Sequence, residues 1–247
     1  MLTEFNEKRR SVDYCGQTFY LAPSCVHKNS IFYITESTEK HREKVKVFEV
    51  ETIEKFNELI SEDMRILDIG ANYGAFSLLA KLHPKTSWLS FEPNLDVYRK
   101  LVFNLQLNEV SNVTPLPFAV GANMAFKTLH VPTNHVGLST LSPRNGRFDY
   151  SKSSKHQVPV VALDSFIGSS KVDLVKVDIE GGEYNAFKGM QSILEKQRPI
   201  LFFEFVEANL KTFKTSKSRL EKLLKKFRYE IAFHLEGDVI ATPIEKR

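Results

Sequence analysis

The chain has 247 residues, enough for one large α/β domain or two small ones and for a sizeable buried core. Hydrophobic residues make up 42%, charged residues 26% and aromatics 11%, which excludes disorder, collagen-like repeats and disulfide-rich miniproteins as descriptions of the whole chain. The net charge of +4 is too small an excess to argue for a nucleic-acid partner unless the cations cluster on one face.

Residues 1–61 read as a preamble packed on a main domain of residues 62–247. The segment MLTEFNEKRR lacks the apolar run of a signal peptide, and no stretch approaches a bilayer span, so the cytoplasm is the expected compartment. Cys15 and Cys25 have no partner pattern for zinc and are expected to be reduced thiols. Short strands are predicted at Phe19 to Leu21 and Ile31 to Thr35, a loop or exposed helix at Thr38 to Lys46, and a helix within Val47 to Ile60.

From Arg65 the pattern becomes regular. A strand at Arg65 to Ile69 ends in glycine and leads to a helical pattern at Phe76, Leu78, Leu79 and Leu82 that Pro84 stops. A strand follows at Ser87 to Phe91, a helix at Leu95 to Leu107 and a strand at Val113 to Val120. Such alternation predicts a parallel sheet covered by helices on both faces. It lapses over an insertion, residues 121–163, where Thr128 to Val131 and Gln157 to Ala162 are placed to pair as a hairpin around a polar loop. Strand Val172 to Val177, helix Glu183 to Leu194 and strand Ile200 to Phe205 resume it. A basic helix, Ser216 to Phe227, leads to an antiparallel hairpin of Tyr229 to His234 and Val239 to Ala241 around Glu236, Gly237 and Asp238. In that helix Leu220, Leu223, Leu224 and Phe227 form one apolar face, so its lysines read as a solvated outer face rather than an RNA surface.

The most informative stretch is LDIGANYG, Leu67 to Gly74. A strand that enters a helix through such a turn is expected to present free backbone N–H groups and the positive helix end to a carboxylate or phosphate. A dinucleotide fingerprint needs glycines where this chain has Asn72 and Ala75, which disfavours a nicotinamide cofactor. Asn72 tolerates left-handed backbone angles, so the turn stays tight. Glu92 ends the next strand, where a carboxylate can accept hydrogen bonds from two ribose hydroxyls.

LDIGANYG, then FEPN (Phe91 to Asn94), DLVKVDIEGGE (Asp173 to Glu183) and PILFFEF (Pro199 to Phe205), resemble the successive motifs of the FkbM family of S-adenosylmethionine-dependent methyltransferases. The likeness covers roughly residues 60 to 206. It implies a Rossmann-like class I methyltransferase fold, a mostly parallel seven-stranded sheet whose last two strands form the C-terminal antiparallel hairpin. It also implies O-methylation of a small-molecule or carbohydrate hydroxyl. Carried onto this chain, Asp68, Gly70, Ala71, Asn72 and Gly74 would form the turn around the methionine part of S-adenosyl-L-methionine. Glu92, with Pro93 and Asn94, would hold the ribose, and the region of Pro117, Phe118 and Ala119 the adenine edge.

Methyl transfer is an in-line displacement, so the protein must align an acceptor oxygen and, for a weakly acidic hydroxyl, take its proton. Asp178, at the end of its strand, is the first candidate base and Glu180 the second; the two acids alternatively form half of an oxygen-ligand Mg2+ site. Glu183 reads as an acidic helix start, and Glu204 as a third acidic candidate. From the insertion, His135 is an alternative base, with Arg144 and Arg147 placed to meet an anionic acceptor. Two other readings remain: an RNA acceptor held by the basic 211–228 segment, and a cofactor-binding protein of this fold without turnover.

Overall fold

A computed structural model describes residues 9–26, 30–34, 45–133, 135–143, 150–235 and 237–244. The strands are β1 (Arg10–Tyr14), β2 (Gln17–Leu21), β3 (Phe32–Ile34), β4 (Val45–Val47), β5 (Arg65–Ile69), β6 (Ser87–Phe91), β7 (Val113–Leu116), β8 (Ala119–Val120), β9 (Ala125–Val131), β10 (Ser154–Val161), β11 (Leu174–Val177), β12 (Ile200–Glu204), β13 (Tyr229–Leu235) and β14 (Asp238–Pro243). The α-helices are α1 (Val50–Asn57), α2 (Leu95–Leu107), α3 (Leu163–Phe166), α4 (Glu183–Lys188), α5 (Glu207–Thr212) and α6 (Lys217–Lys226). No helix of the described residues is long and apolar enough to cross a membrane.

The central sheet has seven strands in the order β13-β14-β12-β11-β5-β6-β7. β11 pairs in parallel with both β5 and β12, and β5, β6 and β7 continue in parallel. β14 enters antiparallel between β12 and β13. This is the sheet, with its C-terminal hairpin, that the motif resemblance implies. Its central strands are buried on both faces, β11 along its whole length, as parallel strands under two helical layers must be. Two apolar clusters occupy those faces, one around Phe56, Phe76, Trp88 and Phe202, the other around Phe187, Phe203, Leu201 and Tyr229.

Several sequence-based boundaries shift. The helix expected after the glycine turn is a single 3-10 segment, Ser77–Lys81, cut short ahead of Pro84. The strand expected over Val113 to Val120 divides at Pro117 and Phe118: β7 stays in the central sheet, and β8 joins a second sheet of order β8-β10-β9. Proline has no N–H to give to a ladder, so pairing breaks there. The helix expected over Glu183 to Leu194 ends as α4 at Lys188, and a π-helical turn, Ile193–Gln197, follows. The 121–163 hairpin is longer than expected, because β9 and β10 pair from Ser154↔Val131 to Val160↔Ala125. Val45 and Lys46 belong to β4 rather than to a loop, while most of the 38–46 stretch lies outside the described residues, as does Glu236.

The first 61 residues contain a third sheet, of order β2-β1-β4-β3, and helix α1. Its inward side chains Val12, Tyr14, Phe19 and Phe32 join the same cluster as Trp88 and Phe202. Polar bonds fasten it to α2: Asn104 Oδ1 accepts the Ala22 N–H at 2.9 Å, and Asn108 exchanges hydrogen bonds with the Tyr20 backbone at 2.8 and 2.7 Å. Tyr14 donates its hydroxyl to the Ala75 carbonyl at 3.0 Å, beside the glycine turn.

Candidate active site

The carboxyl ends of β5, β6 and β11 open into a cleft of about 870 Å3, counting the space exposed to solvent. Gly70, Asn72, Glu92, Pro93, Phe118 and Ala119 all line it, together with Asp178 and Glu180. These residues come from three strand ends and the β7–β8 bend, so only the folded sheet brings them together.

The turn itself differs from expectation in one respect. Its backbone N–H groups are not free: Gly70 and Ala71 both donate to the Phe91 carbonyl, at 2.9 and 3.0 Å. The Asn72 N–H goes to Glu92 Oε2 at 3.0 Å, Tyr73 to Asn72 Oδ1 at 2.8 Å and Gly74 to the Ala71 carbonyl at 2.9 Å. A 3-10 segment in place of an α-helix also removes the helix end that an anion was expected to meet. The physical reason is that the β6 end lies against the turn and supplies the acceptors itself. Asn72 takes φ 50°, the left-handed angle predicted for it.

Gly70 is required by its surroundings. At φ +81°, a Cβ on this residue would stand 1.9 Å from the Asp178 carbonyl oxygen, so the β5 and β11 ends approach as closely as backbone allows. Of the other turn residues, Asp68, Ala71 and Gly74 do not line the cleft, and neither does Asn94. Asn94 instead caps α2, accepting the Asp96 N–H at 3.1 Å. Gly74 lies against Leu101 of α2.

Glu92 is 7% exposed and holds both sides of the site in place. Its Oε2 accepts from Asn72 and its Oε1 from the Asn94 N–H at 2.8 Å. Burial pushes its carboxyl up to about 7 despite these bonds. Each oxygen keeps a further acceptor position toward the cleft.

Asp68 is fully buried behind the turn. Its Oδ2 accepts the Ser77 hydroxyl at 2.6 Å, and its Oδ1 faces Lys176 Nζ at 3.5 Å. Asp68 thus braces the turn through Ser77 and Lys176 and does not itself line the cleft. Lys176, which sequence reasoning passed over, is the hub: its ammonium donates to the Gly70 carbonyl at 3.0 Å, lies 3.4 Å from Asp178 Oδ2 and sits 4.8 Å from the Phe76 ring centroid. Burial opposes its charge, but Asp178 and Asp68 outweigh that and hold it protonated. A lysine inside an otherwise apolar parallel strand was the available signal.

A second cavity, about 920 Å3 with its open space, adjoins the first. Asn72, Gly137, Asp178 and Glu180 line both. His135, Glu204 and Asp238 line only the outer one, so the structure brings the three sequence-predicted catalytic candidates, Asp178, Glu180 and His135, to one space. Arg144 and Arg147 lie outside the described residues. Asn209, on α5, donates from Nδ2 to Glu180 Oε2 at 3.1 Å and to both Glu204 oxygens at 2.8 and 3.0 Å. Its carbonyl occupies the space over Gly181, where a Cβ would fall 2.2 Å away at φ +100°. Glu183 stays out of both cavities and ties its own loop, with Oε1 accepting from Ile179 and Gly181 N–H at 3.2 Å; burial, and then Glu204, push its carboxyl upward. The insertion closes over the sites by a Ser142 hydroxyl bond to the Thr212 carbonyl at 2.7 Å.

Among the described residues no group of three or more His, Cys, Asp or Glu side chains is placed to hold a metal ion. The Mg2+ half-site envisaged for Asp178 and Glu180 thus lacks a third such ligand. The donor set fits S-adenosyl-L-methionine better: an apolar pocket edge at Phe118, which packs against Phe166 at 5.5 Å, a ribose-type acceptor at Glu92 and a narrow turn at Gly70.

Residues 68–231, about two thirds of the chain, match the methyltransferase FkbM domain. The chain belongs to that family. Methyltransferase 1 of Beauveria bassiana is 28% identical over 147 residues, covering 52% of this chain and 59% of the relative. Hexuronic acid methyltransferase AglP of Haloferax volcanii is 25% identical over 150 residues, covering 60% of this chain and 58% of the relative. The matches thus span under two thirds of the length of these relatives. Among solved structures, an FkbM methyltransferase from Methylobacillus flagellatus is similar at a TM-score of 0.45 and 19% identity, over 74% of this chain and 44% of that one.

Proposed function

We propose that the chain is an S-adenosylmethionine-dependent O-methyltransferase acting on a hydroxyl of a small molecule or carbohydrate. The observation that carries this reading is the shared wall between the two cavities, where Asp178 and Glu180 stand between the ribose-type site at Glu92 and the outer space. Family membership and a relative named for a hexuronic acid acceptor support it. The cofactor, when bound, supplies an electrophilic methyl carbon on a sulfonium. Glu92 and the Gly70 turn hold it, Phe118 and Ala119 border its base, and the outer cavity admits the acceptor. Asp178 accepts the hydroxyl proton, and its bond partner Lys176 keeps its carboxylate aimed along the wall. Titration calorimetry is expected to show one site each for S-adenosylmethionine and S-adenosylhomocysteine, with labelled methyl transferred to hydroxyl compounds. Absence of binding by both ligands overturns the reading.

A further inference from the structure

Phe48 is 57% exposed, yet it is no random surface aromatic, because it lines the outer cavity. It sits at the corner between β4 and α1, and its N–H donates to the Ile31 carbonyl at 2.7 Å, which fixes the corner against β3. The next residue, Glu49, adopts the left-handed φ of 58° at the start of α1. Asn72 and Glu180, which also have positive φ, line the same cavity. Ile31 and Val206 extend the apolar side of the same cavity, while Asp178, Glu180 and Glu204 form its polar side. With His135 and Asp238 on the same lining, this polar side favours an occupant whose hydroxyls can both donate and accept along one edge, with an apolar face on the other.

We propose that Phe48 is a specificity-determining residue: its ring is the platform for the apolar C–H face of a neutral pyranose acceptor whose hydroxyls point to the acidic wall. This rests on the methyltransferase reading and adds to it a role for the N-terminal segment, because Ser30, Ile31, Phe48 and Glu49 all precede the family match at residue 68. Among the described residues of that lining five carboxyl side chains, Glu49, Asp178, Glu180, Glu204 and Asp238, stand against one imidazole, His135, a balance that disfavours an acidic sugar.

The test uses the full chain saturated with S-adenosylhomocysteine. Saturation-transfer NMR with the methyl glycosides of glucose, galactose and mannose is expected to show ring C–H contact for at least one of them. The Phe48→Ala variant is expected to bind that glycoside about tenfold more weakly, with S-adenosylhomocysteine affinity within about twofold and an unchanged melting temperature, and Phe48→Tyr to restore binding. Bound S-adenosylhomocysteine with no contact from any of the three, unaltered glycoside affinity in Phe48→Ala, or tighter binding of methyl glucuronide overturns the platform while leaving the methyltransferase reading intact. Failure to bind S-adenosylhomocysteine overturns that reading, and this inference with it.

Discussion

The ammonium of Lys176 lies 3.4 Å from Asp178 Oδ2, two residues further along, although alternate residues of a strand share a face only while the strand continues. The strand ends at Val177, yet the Asp178 N–H still donates to the Ile69 carbonyl at 3.0 Å, so the pleat carries one residue further. The same ammonium faces Asp68 at 3.5 Å, so one buried cation joins the supporting acid of the turn to the candidate base.

Replacing Lys176 by Met leaves the fully buried Asp68 without its charge partner. The variant is expected to lose about 3 to 5 kcal/mol of unfolding free energy in urea. Adding Asp68→Asn should recover part of that loss, since the orphaned charge is then gone; equal stability of single and double variants counts against the coupling.

Glu92 titrates near neutrality because it is buried, its carboxyl raised from about 4.5 to about 7. Between those values the folded chain holds a proton that the unfolded chain has released. This contribution to stability is therefore complete below the lower value and is lost as pH rises through 7. Ribose binding needs the ionised form, so S-adenosylhomocysteine affinity should rise over the same upper limb. Glu92→Gln is expected to flatten the affinity profile and to remove its own share of the stability slope, measured by calorimetry and denaturation from pH 5 to 8; Glu183 and Asp238, whose carboxyls burial also raises, supply the slope that stays.

Gly70→Ala meets two obstacles at once, a positive φ and the Asp178 carbonyl at 1.9 Å. The β5 and β11 ends must separate, costing about 2 kcal/mol or more and displacing Asp178. Thermal unfolding and cofactor-product binding should both fall, whereas an intact binding isotherm speaks against the turn as the cofactor cradle.

Asp178→Asn keeps the side-chain shape and a contact to Lys176 but removes proton acceptance. Methyl transfer is expected to fall by about 10²- to 10⁴-fold while S-adenosylhomocysteine binds as before. Undiminished transfer assigns the proton to another acceptor on the same wall, with Glu180→Gln and His135→Ala as the variants to compare.

How far the residues alone reveal this molecule varies with the reach of the interactions. β5, β6 and α2 lie where their apolar spacing puts them, since Leu95 to Leu107 alternates faces at helical period and Asn94 caps it. The 3-10 segment depends on what lies alongside and escapes a periodicity reading, whereas the break at Pro117 was available in the proline itself. β1 was hidden because only Val12 and Tyr14 of its five residues turn inward. Glu92 and Asp178 announce themselves by motif. Lys176, Asn209 and Phe48 do not, as their importance comes from partners far along the chain. The occupied N–H groups of the turn were invisible for the same reason: their acceptor, Phe91, belongs to a neighbouring strand.

The Lys176 bond to Gly70 spans 106 residues of sequence. Between the two lie two α-helices, three strands and the whole inserted hairpin, a long stretch of chain to close when β11 pairs with β5. Docking of so distant a pair is slow relative to local helix formation. A ligand that bridges the two strand ends acts as a clasp on this long-range pairing, slowing the reopening through which proteases gain entry.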